Sequence, residues 1–233
     1  DMSASPWWKT TQLAEYYPNS LIIANELDKT RFKWLFSNID RIGATNVICT
    51  NYDWRHFKKV PEMFDKVLLD APCSWEWTGF KTDDALKYWN IKNIKRIAKL
   101  QFWLLEWALK TCKTWGEIVY STCTLNTIEN EEVIDKLIKK YWEYIEIVPL
   151  TNNTEYKRNW PHKDLTGWFF VAKIKKIKSF NETFNENIVR QNLEKLTRNE
   201  EQLVHEYLES ETKFDPKNIY LYNFKWEIYL TTK

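Results

Sequence analysis

Apolar positions along this chain recur with two different periods, and each change of period marks a new element. Residues 21–25 (LIIAN) form a short apolar run of strand type. The period then becomes helical: Phe32, Leu35, Phe36, Ile39 and Ile42 share one face, Asp28 is placed to cap the start and Gly43 to stop the helix with a left-handed residue. NVICT at 46–50 and FDKVLLDAP at 64–72 read as strands, and a long helix is predicted from about Asn90 to Lys113. EIVYS at 117–121 is a further strand. Residues 129–141 form a helix with Val133, Ile134, Leu137, Ile138 and Tyr141 on one face, followed by strands at 143–150 (EYIEIVPL) and 168–174 (WFFVAKI). The opening DMSASPWWKT has the look of a strand end running into a loop and a helix near Lys9, so a truncated first strand is expected.

Strands that alternate with helices predict an α/β fold, a mostly parallel sheet covered by helices on both faces, with ligands at the carboxyl ends of the strands. This unit is expected over residues 1–176. A Lys-, Asn- and Glu-rich linker spans 177–197, and a second, truncated module starts at 198, with a helix in TRNEEQLVHEYLE and paired strands in NIYLYN and EIYLTT.

Composition narrows the picture. A net charge of +2 is too small a surplus to indicate nucleic acid by itself, so any basic surface must be local. Lys87, Lys92, Lys95, Arg96 and Lys99 form one cluster and Lys173, Lys175, Lys176 and Lys178 another; phosphate binding and an ordinary solvated face suit each equally. The 4 cysteines have neither metal-ligand spacing nor the density of a disulfide scaffold, which predicts no metal site, a reducing compartment and a cytoplasmic location. No apolar run reaches about 18 residues and no leader pattern opens the chain, so no membrane association is expected.

Three strand ends carry the candidate chemistry: DMSASPWWKT, LLDAPCS and YSTCTLN. Neighbouring strands in a doubly wound sheet would turn Cys73 and Cys123 into one cleft beside the first loop. Cys49 and Cys112 read as small buried apolar residues.

The strings LLDAPCS, YSTCTLN followed by IENEE, and ANELDKTRFKWLFSNIDRIG followed by TNYDWR resemble the Nol/Nop/Sun family of RNA 5-methylcytosine methyltransferases, most closely its bacterial 16S ribosomal RNA branch, over residues 1 to about 176. The resemblance implies a class I S-adenosylmethionine-dependent methyltransferase fold, a Rossmann-like sheet of seven strands, with an RNA-binding appendage beginning after the linker. It implies Cys123 as the nucleophile that adds to carbon 6 of a cytosine, Cys73 as the group that assists product release, and Asp70 as a contact to the base and to the cofactor. Ser3, Ala4, Ser5, Pro6, Trp7, Trp8 and Lys9 would form the loop that cradles the methionine end of S-adenosylmethionine. Glu26 would take the ribose hydroxyls, and Asp53 and Arg31 would stand on the cofactor side. His162 resembles a position near the substrate but is read as structural. The partner implied is RNA, ribosomal before transfer RNA, bound by a monomer with the target base flipped from its stack. A DNA cytosine methyltransferase shares the thiol chemistry, but such enzymes usually carry the nucleophile in the PC segment, and a TCT segment is present here.

One departure bears on activity. The chain has 4 glycines and 14 tryptophans, whereas average usage predicts roughly 16 glycines. Trp7, Trp8, Trp54, Trp75, Trp77, Trp115, Trp142, Trp168 and Trp226 stand where the family or local turn chemistry asks for glycine, and two indoles at 7 and 8 are expected to fill the ligand's space. The expectation is that all of these are glycines, encoded by UGA in a genome that reads this codon as glycine and rendered here as tryptophan. Restoring them brings the glycine content close to the average and leaves Trp34, Trp89, Trp103, Trp107 and Trp160. Genuine tryptophans would instead imply an inactive methyltransferase fold that stacks RNA bases on exposed aromatics. Thr114 and Thr127, at positions where the family usually has proline, have no such explanation.

Overall fold

A computed structural model of the protein describes residues 1–74, 76, 89–150, 154–181, 194–207, 210, 219–224 and 227–232. Lys87, Trp75, Trp77 and Trp226 lie outside the described residues. The elements run α1 (Trp8–Tyr16), β1 (Ile22–Asn25), α2 (Lys29–Ile42), β2 (Val47–Thr50), a 3-10 helix (Trp54–Lys59), β3 (Phe64–Asp70), α3 (Ile91–Thr111), β4 (Cys112–Thr122), α4 (Glu131–Tyr141), β5 (Ile145–Val148), β6 (Tyr156–Asn159), α5 (Pro161–Asp164) and β7 (Phe169–Lys176). Beyond them come β8 (Glu194–Lys195), α6 (Arg198–Tyr207), β9 (Ile219–Phe224) and β10 (Glu227–Thr232), the last two paired antiparallel as the sequence suggests.

The strands of residues 1–176 are those of an α/β sheet in which β7 alone runs against its neighbours. β1 and β2 pair in parallel as one sheet, while a second sheet runs β3-β4-β7-β5 with β6 on β7. β3 and β4 are parallel, but β7 is antiparallel to β4, β5 and β6. The sheet is therefore mixed, because the chain turns back through β6 and α5 before β7 enters beside β4. The first residues bridge the two sheets: Met2 N donates to Leu68 O and Asn25 N to Asp1 O, each at 2.9 Å, and Ala4 N donates to Asn25 O at 2.8 Å.

Helix ends follow local chemistry. The Asp28 carboxylate accepts from Arg31 N at 2.8 Å, and Gly43 closes α2 in the left-handed region with φ 71°. Leu35 and Ile39 of α2 are buried, whereas Phe36 and Ile42, expected on the same face, are each 48% exposed; the helix presents only a narrow stripe to the small core of Ala4, Ala24 and Trp7. The main core is packed more completely. Ile94, Ala98, Leu105 and Ala108 of α3 recur at helical spacing, and the last three join Val67, Leu69, Ile118 and Tyr120 of the central strands and Val133, Ile134 and Leu137 of α4. Each fully buried leucine or isoleucine there contributes about 1.5–3 kcal/mol, which holds the β3 and β4 ends in place.

β4 begins earlier than predicted and carries an irregularity: Phe64 pairs with Cys112 and Lys66 with Glu117, so extra residues loop out of β4. Trp115 sits there at φ 69°, and a Cβ on Gly116 would lie 2.6 Å from Cys112 Sγ and 2.7 Å from Asp65 O. A left-handed residue with a side chain costs about 1–2 kcal/mol, more than the roughly 0.5 kcal/mol of an exposed contact such as that of Lys175 with the Trp115 ring, 5.5 Å away. Trp115→Gly is therefore expected to stabilise the protein by about 1 kcal/mol in urea unfolding, and Gly116→Ala to destabilise it; a neutral or destabilising Trp115→Gly would contradict this reading.

Candidate active site

Parallel pairing aligns Asp70 of β3 with Ser121 of β4, and both strands release their chains at the same edge. Just beyond, Cys73 and Cys123 bring their Sγ atoms to 2.9 Å. Both residues are half-buried, and neither is in a disulfide. The other two cysteines differ: burial pushes the Cys49 and Cys112 thiols up to about 11, which keeps them protonated and unreactive at neutral pH.

A cavity of about 530 Å3 opens beside the paired thiols, and Ser3, Ser5, Glu26, Arg31, Asp70, Cys73 and Cys123 line it together with Asp28, Trp54 and others. Asp70 is held at both oxygens, by Ser121 Oγ at 2.8 Å and by Lys9 Nζ at 2.6 Å. The Lys9 ammonium also lies 5.4 Å from the centre of the Phe169 ring. Glu26 is buried; its Oε1 accepts from Asp28 N at 2.9 Å, while Oε2 has no hydrogen-bond partner among the described residues and lies 3.7 Å from Arg31 Nη2. Arg31 is fixed in turn by its 2.8 Å hydrogen bond to Ser5 O. Ser3 Oγ, also buried, is likewise without a partner among the described residues.

Other sequence-predicted residues stand outside the cavity's lining: Ala4, Pro6, Trp7, Trp8, Lys9 and Asp53. The indoles of Trp7 and Trp8 do not fill the space. Trp7 packs against the small core of Ala4, Ala24, Leu35 and Ile39, and Trp8 is 61% exposed. The conflict at Trp7 appears instead in its backbone, at φ 141°, a region that side chains disfavour. Asp53 caps the 3-10 helix and takes a two-point contact from Arg55, which lowers its pKa to about 2. That fork already engages both oxygens. His162 lies on α5 with its ring 5.9 Å from that of Trp160, away from the cavity.

The basic clusters separate. Lys92, Lys95, Arg96 and Lys99 are exposed on α3, whereas Lys173, Lys176 and Lys178 are ion-paired with Glu117, Glu62 and Glu143. The second cluster is thus largely neutralised within the sheet.

Residues that the motifs did not single out hold the two cysteine loops. Glu76 Oε2 accepts from Thr124 Oγ1 at 2.6 Å and Leu125 N at 2.7 Å, and Glu129 Oε2 accepts from Ser74 N at 2.9 Å. Gln101 of α3 donates to both Pro72 O and Glu129 at 2.9 Å. Its position, inside the apolar stripe between Ala98 and Leu105, was the available signal. Arg158 of β6 ties down the far side through Leu125 O and Glu131.

A model of the family described as 16S rRNA methyltransferase RsmB/F matches residues 1–175. The chain belongs to this RsmB/F family. Ribosomal RNA small subunit methyltransferase F of Shigella dysenteriae is 42% identical over 189 residues, covering 76% of this chain and 39% of that protein. The same-named protein of Erwinia tasmaniensis is 39% identical over 191 residues, 77% of this chain and 40% of its own length. The chain thus spans about two fifths of these curated relatives. Among solved structures, NSun6 from Pyrococcus horikoshii with SFG matches at TM-score 0.68 and 33% identity, over 77% of this chain and 47% of that one. A methyltransferase homolog from the same organism matches at TM-score 0.66 and 32% identity, over 76% and 60%. The RsmB/F chain therefore has the fold of S-adenosylmethionine-dependent methyltransferases.

The Glu76 carboxyl yields a pH prediction. Burial pushes its pKa up, but hydrogen bonds from Thr124, Trp89, Leu125 and Asn126 outweigh this and hold it below the ordinary value of 4.5. A depressed carboxylate contributes stability above the unfolded pKa, and this is lost as pH falls through the folded one. The stability gap between the wild type and Glu76→Gln, measured by urea unfolding, should stay constant above about pH 5.5 and narrow below about pH 4.5. A gap that widened on acidification would contradict the clamp.

Proposed function

We propose that this protein is an S-adenosylmethionine-dependent RNA cytosine-C5 methyltransferase, acting as a monomer on ribosomal RNA in the cytoplasm. The observation that carries the proposal is the pair of half-buried thiols, 2.9 Å apart, at the wall of a cavity that also contains Asp70 and Glu26. Carbon 5 of cytosine is a weak nucleophile, so the reaction needs a group that adds to carbon 6 and sends an electron pair to carbon 5. A reducing compartment keeps both thiols available for it.

The cavity suits the cofactor. Among the described residues, Glu26 Oε2 and Ser3 Oγ are buried polar atoms with no hydrogen-bond partner, which suits a ligand, and an acidic residue just after a strand such as β1 of this kind of fold is placed to accept from ribose hydroxyls. Arg31 holds the loop of Ser5 beside it. When bound, S-adenosylmethionine supplies the electrophilic methyl group for carbon 5.

The protein's own residues do the rest. The Cys123 thiolate adds to carbon 6 of a base turned out of its stack. Asp70, oriented by Lys9 and Ser121, faces the polar edge of the ring. Cys73 takes the proton from carbon 5; the released electron pair restores the ring double bond and expels Cys123 as thiolate. Lys92, Lys95, Arg96 and Lys99 offer the exposed positive charge for the RNA backbone.

This reading is coupled to glycine at the UGA-type tryptophan positions. Trp7 at φ 141° and Trp115 at φ 69° favour it, whereas Trp54 and Trp142 have helical backbones that any residue adopts.

Two measurements test the proposal. A chain with glycine at positions 7 and 8 should bind S-adenosylmethionine in calorimetric titration more tightly than the tryptophan form; no binding by either would favour the inactive scaffold. With radiolabelled methyl donor, Cys123→Ala should lose turnover by at least about a thousandfold, on the scale of losing a nucleophile, and Cys73→Ala should accumulate a protein–RNA adduct stable to denaturant. An adduct in Cys123→Ala instead would reverse the two roles.

A further inference from the structure

The loops that carry the two cysteines are joined by a carboxylate from each, and each carboxylate reaches into the other loop. Glu76, just beyond Cys73, accepts from Leu125 N at 2.7 Å and Asn126 N at 3.1 Å. Glu129, just beyond Cys123, accepts from Ser74 N at 2.9 Å. The Asn126 amide lies between them, donating to Glu76 Oε1 at 3.0 Å and to Glu129 Oε1 at 2.7 Å. Gln101 anchors the arrangement to α3, and Tyr120 OH fixes the Glu129 carbonyl at 2.6 Å.

Glu129 is fully buried. Burying a carboxylate costs several kcal/mol unless its oxygens receive hydrogen bonds, and the bonds it receives here are charge-assisted, the short and strong kind. Neither Glu76 nor Glu129 lines the cavity. What their bonds constrain is the position of one loop against the other, at the point where β3 and β4 no longer pair.

We propose that Glu76 and Glu129 form a reciprocal positioning pair that sets the separation of the Cys73 and Cys123 thiols. The proposal rests on the reading of Cys123 as nucleophile and Cys73 as the group that releases it, and it adds the device that keeps the second thiol within reach of the adduct. Both glutamates act through the cysteines and touch no substrate.

The separation can be measured without methyl transfer, as the effective concentration of one thiol at the other. Glutathione disulfide oxidises the dithiol to a Cys73–Cys123 disulfide and is itself reduced to two glutathione thiols; the equilibrium is read on the full chain by mass spectrometry with peptide mapping. Glu129→Gln and Glu76→Gln each turn an accepting oxygen into an N–H donor that faces other donors. Each is expected to lower the effective concentration at least about tenfold, the factor carried by one hydrogen bond to a charged group, in chains whose circular dichroism shows them folded. Folded variants with the wild-type value overturn the proposal. Should a glutamine variant fail to fold, Asn126→Ala, which removes the amide shared by both carboxylates, is measured in its place with the same two outcomes. In methyl transfer the variants should lose kcat with KM for the donor unchanged. A wild-type chain that closes the disulfide readily yet transfers no methyl group would remove the functional reading and leave the clamp standing.

Discussion

Everything at this site depends on the parallel pairing of β3 with β4. Because Asp70 and Ser121 lie side by side, the two chains leave the sheet together, and residues far apart in sequence become neighbours. Strand pairing ends there, however, and loops beyond a sheet edge have no ladder to hold them. The hydrogen bonds of Glu76, Glu129, Gln101 and Asn126 continue the attachment for the next few residues. The packing of α3 and α4 on the same strands supplies the rigid base. In the proposed reaction, thiols held in this way would need little reorganisation when a base arrives, which is the physical advantage of a preorganised site.

The elements were largely legible in the sequence, because apolar periodicity reports burial. α3, α4 and β3 fell close to where their patterns placed them, and Gly43 ended α2 as a left-handed stop. β6 was not foreseen, since YKRN has no apolar alternation to reveal it. The direction of β7 was equally hidden: a run such as FFVAKIKK shows that a strand is buried but not which way it points. Part of the candidate site was legible in the same manner: cysteines at the ends of neighbouring strands were expected in one cleft, and the Cys73 and Cys123 sulfurs lie 2.9 Å apart. Glu76 and Glu129, which join their loops, were not legible, because their hydrogen-bond partners lie far away in the sequence.

The tryptophans show how one composition anomaly resolves into separate physical effects. At positions 7 and 115 the backbone adopts angles that suit glycine, so the side chain is tolerated at the cost of strain. At positions 54 and 142 the backbone is helical; Trp54 Nε1 donates to Met2 O at 3.0 Å, whereas the Trp142 side chain is exposed. A single substitution type thus costs most where the chain must turn, as at positions 7 and 115.

The central claim is that the Cys123 sulfur becomes bonded to a pyrimidine ring while Cys73 waits beside it. It is tested most directly with ribosomal RNA bearing 5-fluorocytidine, whose carbon 5 has no proton to give up, incubated with the glycine-restored protein and S-adenosylmethionine and then digested for mass spectrometry. The account expects one modified peptide, carrying a methylated fluoropyrimidine nucleotide on Cys123. A nucleotide found on Cys73, or no nucleotide on either cysteine while methyl groups still reach unmodified RNA, would contradict it.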